Sequence, residues 1–288
     1  MYTQTDMSKI TSMKTGGTAE CCFPESKEAL VDRVKELTGK NKRFYVLGNM
    51  SNVLLPDENI GFIPVVTTKI NTYKVTDNED GSVNVNADCG IMLTKLALEM
   101  CKKGYSGLEF AYGIPGTVGG AVFMNAGAYG SEIANVTEHI EALEIKTGNI
   151  VTISRENCKF GYRESAFQLG EYVILSACFK LTKADADEIT KVAKQTMQKR
   201  IEKQPLEYPS CGSAFKRPDG YFAGDLIERS GLKGYAVGGA CVSEKHAGFI
   251  INKGNATTND ALALIEYIKE TVRKKFGVEL EPEIRVIQ

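Results

Sequence analysis

Tryptophan is absent from this 288-residue chain, histidine occurs only at His139 and His246, and none of the eight cysteines forms a C-x-x-C pair. Metal centres are assembled from clustered Cys and His, so no metal site is expected. The cysteines fall at 21, 22, 89, 101, 158, 178, 211 and 241, several of them in apolar runs such as VILSACF around Cys178, and read as reduced, buried small hydrophobes. Charge of either sign is not in excess: 35 basic against 36 acidic residues leave −1, which gives no reason for a nucleic-acid or anionic-membrane surface. The opening MYTQTDMSKITSMK is polar where a secretory signal needs an apolar core, and no uninterrupted apolar run approaches a membrane span. A cytoplasmic protein acting on small molecules, by default a monomer, is the expectation. The sequons at Asn135 and Asn255 are then chance matches. Neither the G-x-G-x-x-G nor the P-loop pattern occurs, and no internal repeat is found.

What the chain does have is glycine in an unusual place. Residues 113 to 130, GIPGTVGGAVFMNAGAYG, hold six glycines and no charge. Glycine permits positive φ and removes the Cβ that keeps a ligand away, and successive free N–H groups can cradle a pyrophosphate. Tight packing of small residues is the alternative. The run's length, its neutrality and Pro115 favour a cradle.

The periodicity predicts a strand at Thr18 to Phe23, a helix capped by Ser26 with Leu30, Val31, Val34 and Leu37 on one face, and a strand at Arg43 to Leu47 entering the turn-rich loop Gly48 to Asn52. A β hairpin turning at Asn78 to Gly81, a helix from about Met92 to Lys103, and strands at Thr137 to Ile145, Ile150 to Ile153 and Tyr172 to Leu181 follow. Asp185 and Glu188 cap a helix that runs towards Pro205. Helices at Phe222 to Arg229 and Asn259 to Phe276, with a strand at Gly248 to Asn252, lead to a final strand, Val278 to Ile287. In that strand Val278, Leu280, Pro282, Ile284 and Val286 alternate with Glu279, Glu281, Glu283 and Arg285.

Two further segments hold chemistry. Tyr162-Arg163 offers a phenol beside a permanently charged planar fork suited to a carboxylate, although the dipeptide is common on surfaces. Pro209 to Pro218, PSCGSAFKRP, bends around small residues, exposing Ser213 ahead of the cations Lys216 and Arg217. Ser213 reads equally as a turn serine bonded to its own backbone. Cys211 is a rival nucleophile with no histidine base nearby in sequence.

From about Val46 to its C-terminus the chain resembles the UDP-N-acetylenolpyruvylglucosamine reductases, in the shorter form lacking an extra tyrosine-bearing loop. The matching elements are the Gly-rich run, GNMSN for G-x-G-S-N, YRES for Y-R-x-S, GSAFKRP for G-S-x-F-K-x-P, LEPE for L-E-x-E, and GLKGYAVGGACVSEKHAGFIINKGNAT, in which His246 reads as structural. Met50 departs from the pattern, standing where the second glycine is usual. The resemblance implies an α+β chain: an FAD-binding fold of the vanillyl-alcohol-oxidase/PCMH type in two lobes, residues 1–66 and 67–183, then a C-terminal α/β substrate-binding domain, residues 184–288.

The same resemblance implies non-covalent FAD held by Leu47, Gly48, Asn49, Met50, Ser51, Asn52, Val53, Gly113, Pro115, Gly116, Thr117, Gly119, Gly120, Asn125, Gly127, Ala128 and Gly130. It assigns the substrate to Tyr129, Tyr162, Lys216, Arg217 and Arg285, and catalysis to Arg163, Ser213 and Glu283. No ordinary side chain transfers hydride, so FAD, reduced by NADPH, would reduce the enolpyruvyl group. Arg163 and Glu283 would stabilise charge developing at C2 and the carboxylate, and Ser213 would protonate C2. The reaction belongs to cell-wall precursor synthesis. Another flavin oxidase or dehydrogenase of this fold, or a non-catalytic flavin- or UDP-sugar-binding protein, are the competing readings.

Overall fold

Ser26 opens the first helix, Lys27–Gly39, by accepting the N–H of Ala29 at 3.2 Å, and Leu30, Val31, Val34 and Leu37 lie buried along it. The structure, a computed structural model, describes residues 2–288; among them no helix is long and apolar enough to cross a membrane. The chain divides into two compact units that do not follow chain order.

Unit 1 contains Tyr2, Cys21–Asn49 and Phe62–Arg200. Here the strands Phe44–Leu47 and Ile63–Val66 run parallel, with Cys22 beside Val65; parallel neighbours need a long crossover connection, and residues 48–62 supply it. A larger antiparallel sheet follows, ordered Ile150–Ser154, Thr137–Glu144, Tyr172–Lys183, Val83–Asp88, Tyr73–Asp77. The hairpin turn sits where Asn78 to Gly81 predicts it, Asn78 and Ser82 being joined by a backbone bond of 2.9 Å. Val173 to Phe179 are buried in succession, so this central strand is covered on both faces and alternation disappears. The helix Leu93–Lys102 and the helix Ala186–Lys203 as far as Arg200 also belong to the unit. The second is capped by Asp185, whose Oδ1 accepts the N–H groups of Asp187 and Glu188.

Unit 2 contains Thr3–Glu20, Met50–Gly61 and Ile201–Gln288. Its sheet is antiparallel, ordered Ser210–Ser213, Phe249–Asn252, Ala240–Val242, Ala236–Val237, and Ala223–Arg229 and Thr258–Phe276 are its helices. Thr257 and Asp260 cap the latter reciprocally, and the Asp57 carboxylate takes the N–H groups of Thr258 and Asn259 at 2.6 and 2.9 Å. Distant chain closes the unit. Asn252 donates to the Met13 carbonyl and Thr258 to Thr15.

The expected ten-residue C-terminal strand is a correction. Only Arg285–Val286 is ladder, parallel to Val53–Leu54, and Phe215 bridges Pro282. Leu280 and Ile284 are buried and their neighbours are not, so the alternation reports burial of one face rather than sheet pairing. Val286 is exposed, against the pattern.

Candidate active site

In unit 1 the loop after Phe44–Leu47 lies against the Gly-rich run. The Asn49 amide donates to the Pro115 carbonyl at 2.7 Å, and a Cβ on Gly48 would collide with the Thr117 hydroxyl. That hydroxyl caps the short helix Val118–Phe123, accepting the N–H of Gly120 at 3.3 Å.

The expected free N–H cradle is altered at its centre. Val118 donates to Ile91 at 2.9 Å and Gly119 to Cys89 at 2.8 Å, while Gly116 accepts from Leu93 at 3.0 Å. A Cβ on Gly119 would stand 3.0 Å from Cys89 Cβ and 3.1 Å from its carbonyl oxygen, so this glycine is required by protein packing. Gly120 differs: it is exposed, and the nearest atom to a Cβ there is Thr117 Oγ1 at 3.6 Å. Pro115 is exposed too.

Beyond the short helix, Asn125 is wholly buried at φ +41, donating to the Gly161 carbonyl and accepting from Ala134. Gly127–Ala128 and Ser131–Glu132 then form a two-residue hairpin whose tip, Tyr129 and Gly130, has φ +54 and +86, the signature of a type I′ turn.

Tyr162 and Arg163 form the tip of another tight turn, closed by paired backbone bonds between Gly161 and Glu164 at 3.1 and 3.2 Å. Arg163 takes φ +60. Its carbonyl is held by Gln168 Nε2 at 2.9 Å, and its guanidinium donates to Gly127 at 3.2 Å and lies 4.9 Å from the Tyr162 ring centre. Gln168 and Ser165 also bond the Phe123 carbonyl. Thus Leu47, Gly48, Asn49, the Gly-rich run, Tyr129, Tyr162 and Arg163 belong to one assembly.

Unit 2 gathers the rest. Glu283 donates its N–H to Ala214 and Lys216 to Glu281, both at 2.9 Å, so the segments carrying Ser213 and Glu283 run side by side. Asn52 Nδ2 donates to the Glu283 carbonyl at 3.1 Å, and Arg285 donates its N–H to Asn52 at 2.9 Å. Ser210 pairs Ile251 but Ser213 pairs Phe249: Cys211 and Gly212 together oppose Ile250, a bulge with Gly212 at φ +77. A bulge redirects the side chains that follow it, and Ser213 is exposed between buried Cys211 and Ala214.

Other candidates have protein partners. Lys216 forms an ion pair with Glu281 at 2.7 Å, and Arg217 lies 4.1 Å from the Phe222 ring centre. Cys211 is no nucleophile: burial pushes its thiol up to about 12, and Sγ lies 3.3 Å from the Val53 carbonyl. His246 accepts the Gly248 N–H on Nδ1 at 3.1 Å, and burial lowers its pKa, favouring the neutral ring. Sequence reasoning missed the bulge, the Gln168 latch and Arg200. Positive φ at Met50, Asn125, Tyr129 and Arg163 carried no residue-type signal beyond Asn125.

A family model for the C-terminal domain of UDP-N-acetylenolpyruvoylglucosamine reductase matches residues 204–287, and one for an FAD-binding domain matches residues 19–154. The UDP-N-acetylenolpyruvoylglucosamine reductase of Caldanaerobacter subterraneus subsp. tengcongensis is 44% identical over 288 residues, all of this chain and 93% of that one. The chain belongs to the UDP-N-acetylenolpyruvoylglucosamine reductase family. A crystal structure of the reductase from Thermus caldophilus superposes with a TM-score of 0.84 at 33% identity, covering 100% of this chain and 99% of that one. A cholesterol oxidase from B. sterolicum shares the fold over 64% of this chain and 37% of its own, with a TM-score of 0.50 at 13% identity.

The reductase family member described here is therefore an FAD-dependent oxidoreductase with the FAD-binding fold expected from its sequence. The residues present fit the cofactor. Pro115 and Gly120 leave the face of the Gly-rich run uncovered by protein, and strained residues, which accumulate at ligand sites, cluster beside it.

Proposed function

We propose that this chain reduces UDP-N-acetylglucosamine enolpyruvate to UDP-N-acetylmuramate in peptidoglycan precursor synthesis, with NADPH as electron donor. Bound FAD supplies the hydride chemistry that side chains cannot. The observation that carries the reading is the bond from Glu283 to Ala214, which sets the glutamate next to the bulge that exposes Ser213.

In this reading Ser213 gives its hydroxyl proton to C2 of the enolpyruvyl group. Arg163, held by Gln168 and Gly127, offers a preorganised positive charge to the carboxylate, and Glu283, half-buried, hydrogen-bonds the developing acid-enolate. Tyr129, Tyr162, Arg217 and Arg285 contact substrate. Lys216 is shared between substrate and Glu281. NADPH and the UDP-sugar take turns, so the kinetics are ping-pong. Both are soluble nucleotides, which suits an enzyme of the cytoplasm and ties it to cell shape and division through wall synthesis.

The test is the flavin spectrum under anaerobic conditions. NADPH should bleach it and the enolpyruvyl substrate restore it. A flavin that NADPH leaves oxidised, or that the enolpyruvyl substrate leaves reduced, would defeat the assignment.

A further inference from the structure

Helix Ala186–Lys203 buries Ile189, Ala193 and Thr196. These positions step by four, three and then, one turn later, four residues to Arg200, which therefore lies on the helix's buried stripe. A cation is out of place there without a counter-charge. The described residues give Arg200 no ion pair, and its Nε is buried with no hydrogen-bond partner. Burial lowers its pKa, and the charge of an ionised Tyr129 phenol would oppose that.

The surroundings say which way the side chain runs. Its Cδ lies 3.0 Å and its Nη1 3.5 Å from where a Cβ on Gly113 would stand, with Met197 Sδ at 3.8 Å. Gly113 therefore makes room for an arginine rather than for a ligand. The guanidinium thus lies against the entry of the Gly-rich run. Buried donors without partners in a protein are satisfied by water, ions or ligands, and a planar guanidinium suits phosphate oxygens above all.

We propose that Arg200 binds the diphosphate of the flavin dinucleotide. The proposal rests on the FAD reading given above. NADPH and the UDP-sugar also carry diphosphates, but Arg200 adjoins Gly113, inside the stretch that matches the FAD-binding domain.

Apoprotein prepared from the full chain is titrated with FAD and with riboflavin, following flavin fluorescence, for the wild type, Arg200→Met and Arg200→Lys. Hydrogen bonds to charged groups are worth enough for Arg200→Met to weaken FAD about ten- to hundredfold, while riboflavin, which lacks phosphate, binds unchanged. Arg200→Lys should recover part of the loss. Because a half-buried cation whose Nε is buried without a partner is a burden without ligand, Arg200→Met apoprotein should melt no lower than wild-type apoprotein, yet gain less from added FAD. Equal FAD affinity in Arg200→Met and wild type overturns the proposal. So does a lower melting point of the Arg200→Met apoprotein, which would make Arg200 a packing residue, or an effect confined to the KM for NADPH or the UDP-sugar. Wild-type apoprotein that binds neither flavin would instead sink the FAD reading.

Discussion

The backbone N–H of Glu283 meets the carbonyl of Ala214 at 2.9 Å, although three strands of the sheet and both helices of unit 2 intervene along the chain. One hydrogen bond therefore ties the proposed acid-enolate stabiliser to the residue after the proposed proton donor.

Ser213→Ala should separate the two half-reactions. Neither FAD binding nor reduction by NADPH uses the hydroxyl, whereas general acid catalysis contributes about 10²–10⁴-fold. Stopped-flow absorbance should show normal bleaching and reoxidation slowed by about that factor. Equal slowing of both steps would return Ser213 to the role of a turn residue.

Neighbouring glycines should respond oppositely. Gly119→Val would press on Cys89, 3.0 Å from the first added carbon, and should destabilise the apoprotein by about 1–3 kcal/mol or more, as overpacking does. Gly120→Ala has open space, and helix propensity favours it by about 1 kcal/mol, so its apoprotein should be more stable while binding FAD less tightly. Thermal melts with and without FAD check both, and a destabilised Gly120→Ala apoprotein would contradict the open face.

Met50→Gly sets two effects against each other. Releasing a left-handed non-glycine residue, φ +49, gains about 1–2 kcal/mol, but truncating a methionine only 5% exposed loses about 2–5 kcal/mol. Packing wins. Urea unfolding should show net destabilisation of about 1–3 kcal/mol, and a more stable variant would mean that Met50 is poorly packed.

The thiols should be silent. All eight cysteines are free and buried, and burial raises Cys22, Cys101, Cys158 and Cys178 to about 11 and Cys89 to about 12. At pH 8 an aromatic disulfide reagent should label the native protein negligibly within minutes and the denatured protein at all eight positions. Rapid labelling of native protein would refute the burial.

His246 gives stability a pH dependence. Its folded pKa lies below the ordinary value of about 6.5, so the unfolded chain takes up the proton first. Its contribution is complete above that value and declines as pH falls towards the folded pKa. Unfolding free energy should drop below about pH 6.5, and His246→Asn, which keeps an acceptor for Gly248, should flatten that decline. An unchanged slope would exclude His246 as the cause.

The sequence exposed local order well, because caps and amphipathic faces are set by neighbouring residues: Ser26, Asp185 and the Leu30 to Leu37 stripe lie where the periodicity places them. The Gly-rich run and the Tyr162-Arg163 segment were visible for the same reason. The reason for each glycine was not, since Gly119 answers to Cys89 and Gly113 to Arg200, partners distant in the chain. The bulge before Ser213 depends on Phe249 across the sheet, and the C-terminal alternation could not distinguish a ladder from a lone buried face. Arg200 looks like any other cation of a Lys-rich helix until the Ile189–Thr196 stripe is known to be buried.

Thr15 waits for Thr258, 243 positions later, and Met13 for Asn252, 239 positions later. At about 5–20 residues per second on the ribosome, the amino-terminal segment emerges roughly ten to fifty seconds before the groups that hold it exist. The nascent chain must keep Met13, which ends up buried, exposed for that interval. Unit 2 can close only after Asn252 and Thr258 have been made, so a chain stalled before the helix Thr258–Phe276 leaves this segment unanchored, available to chaperones and proteases while unit 1 is already complete in sequence.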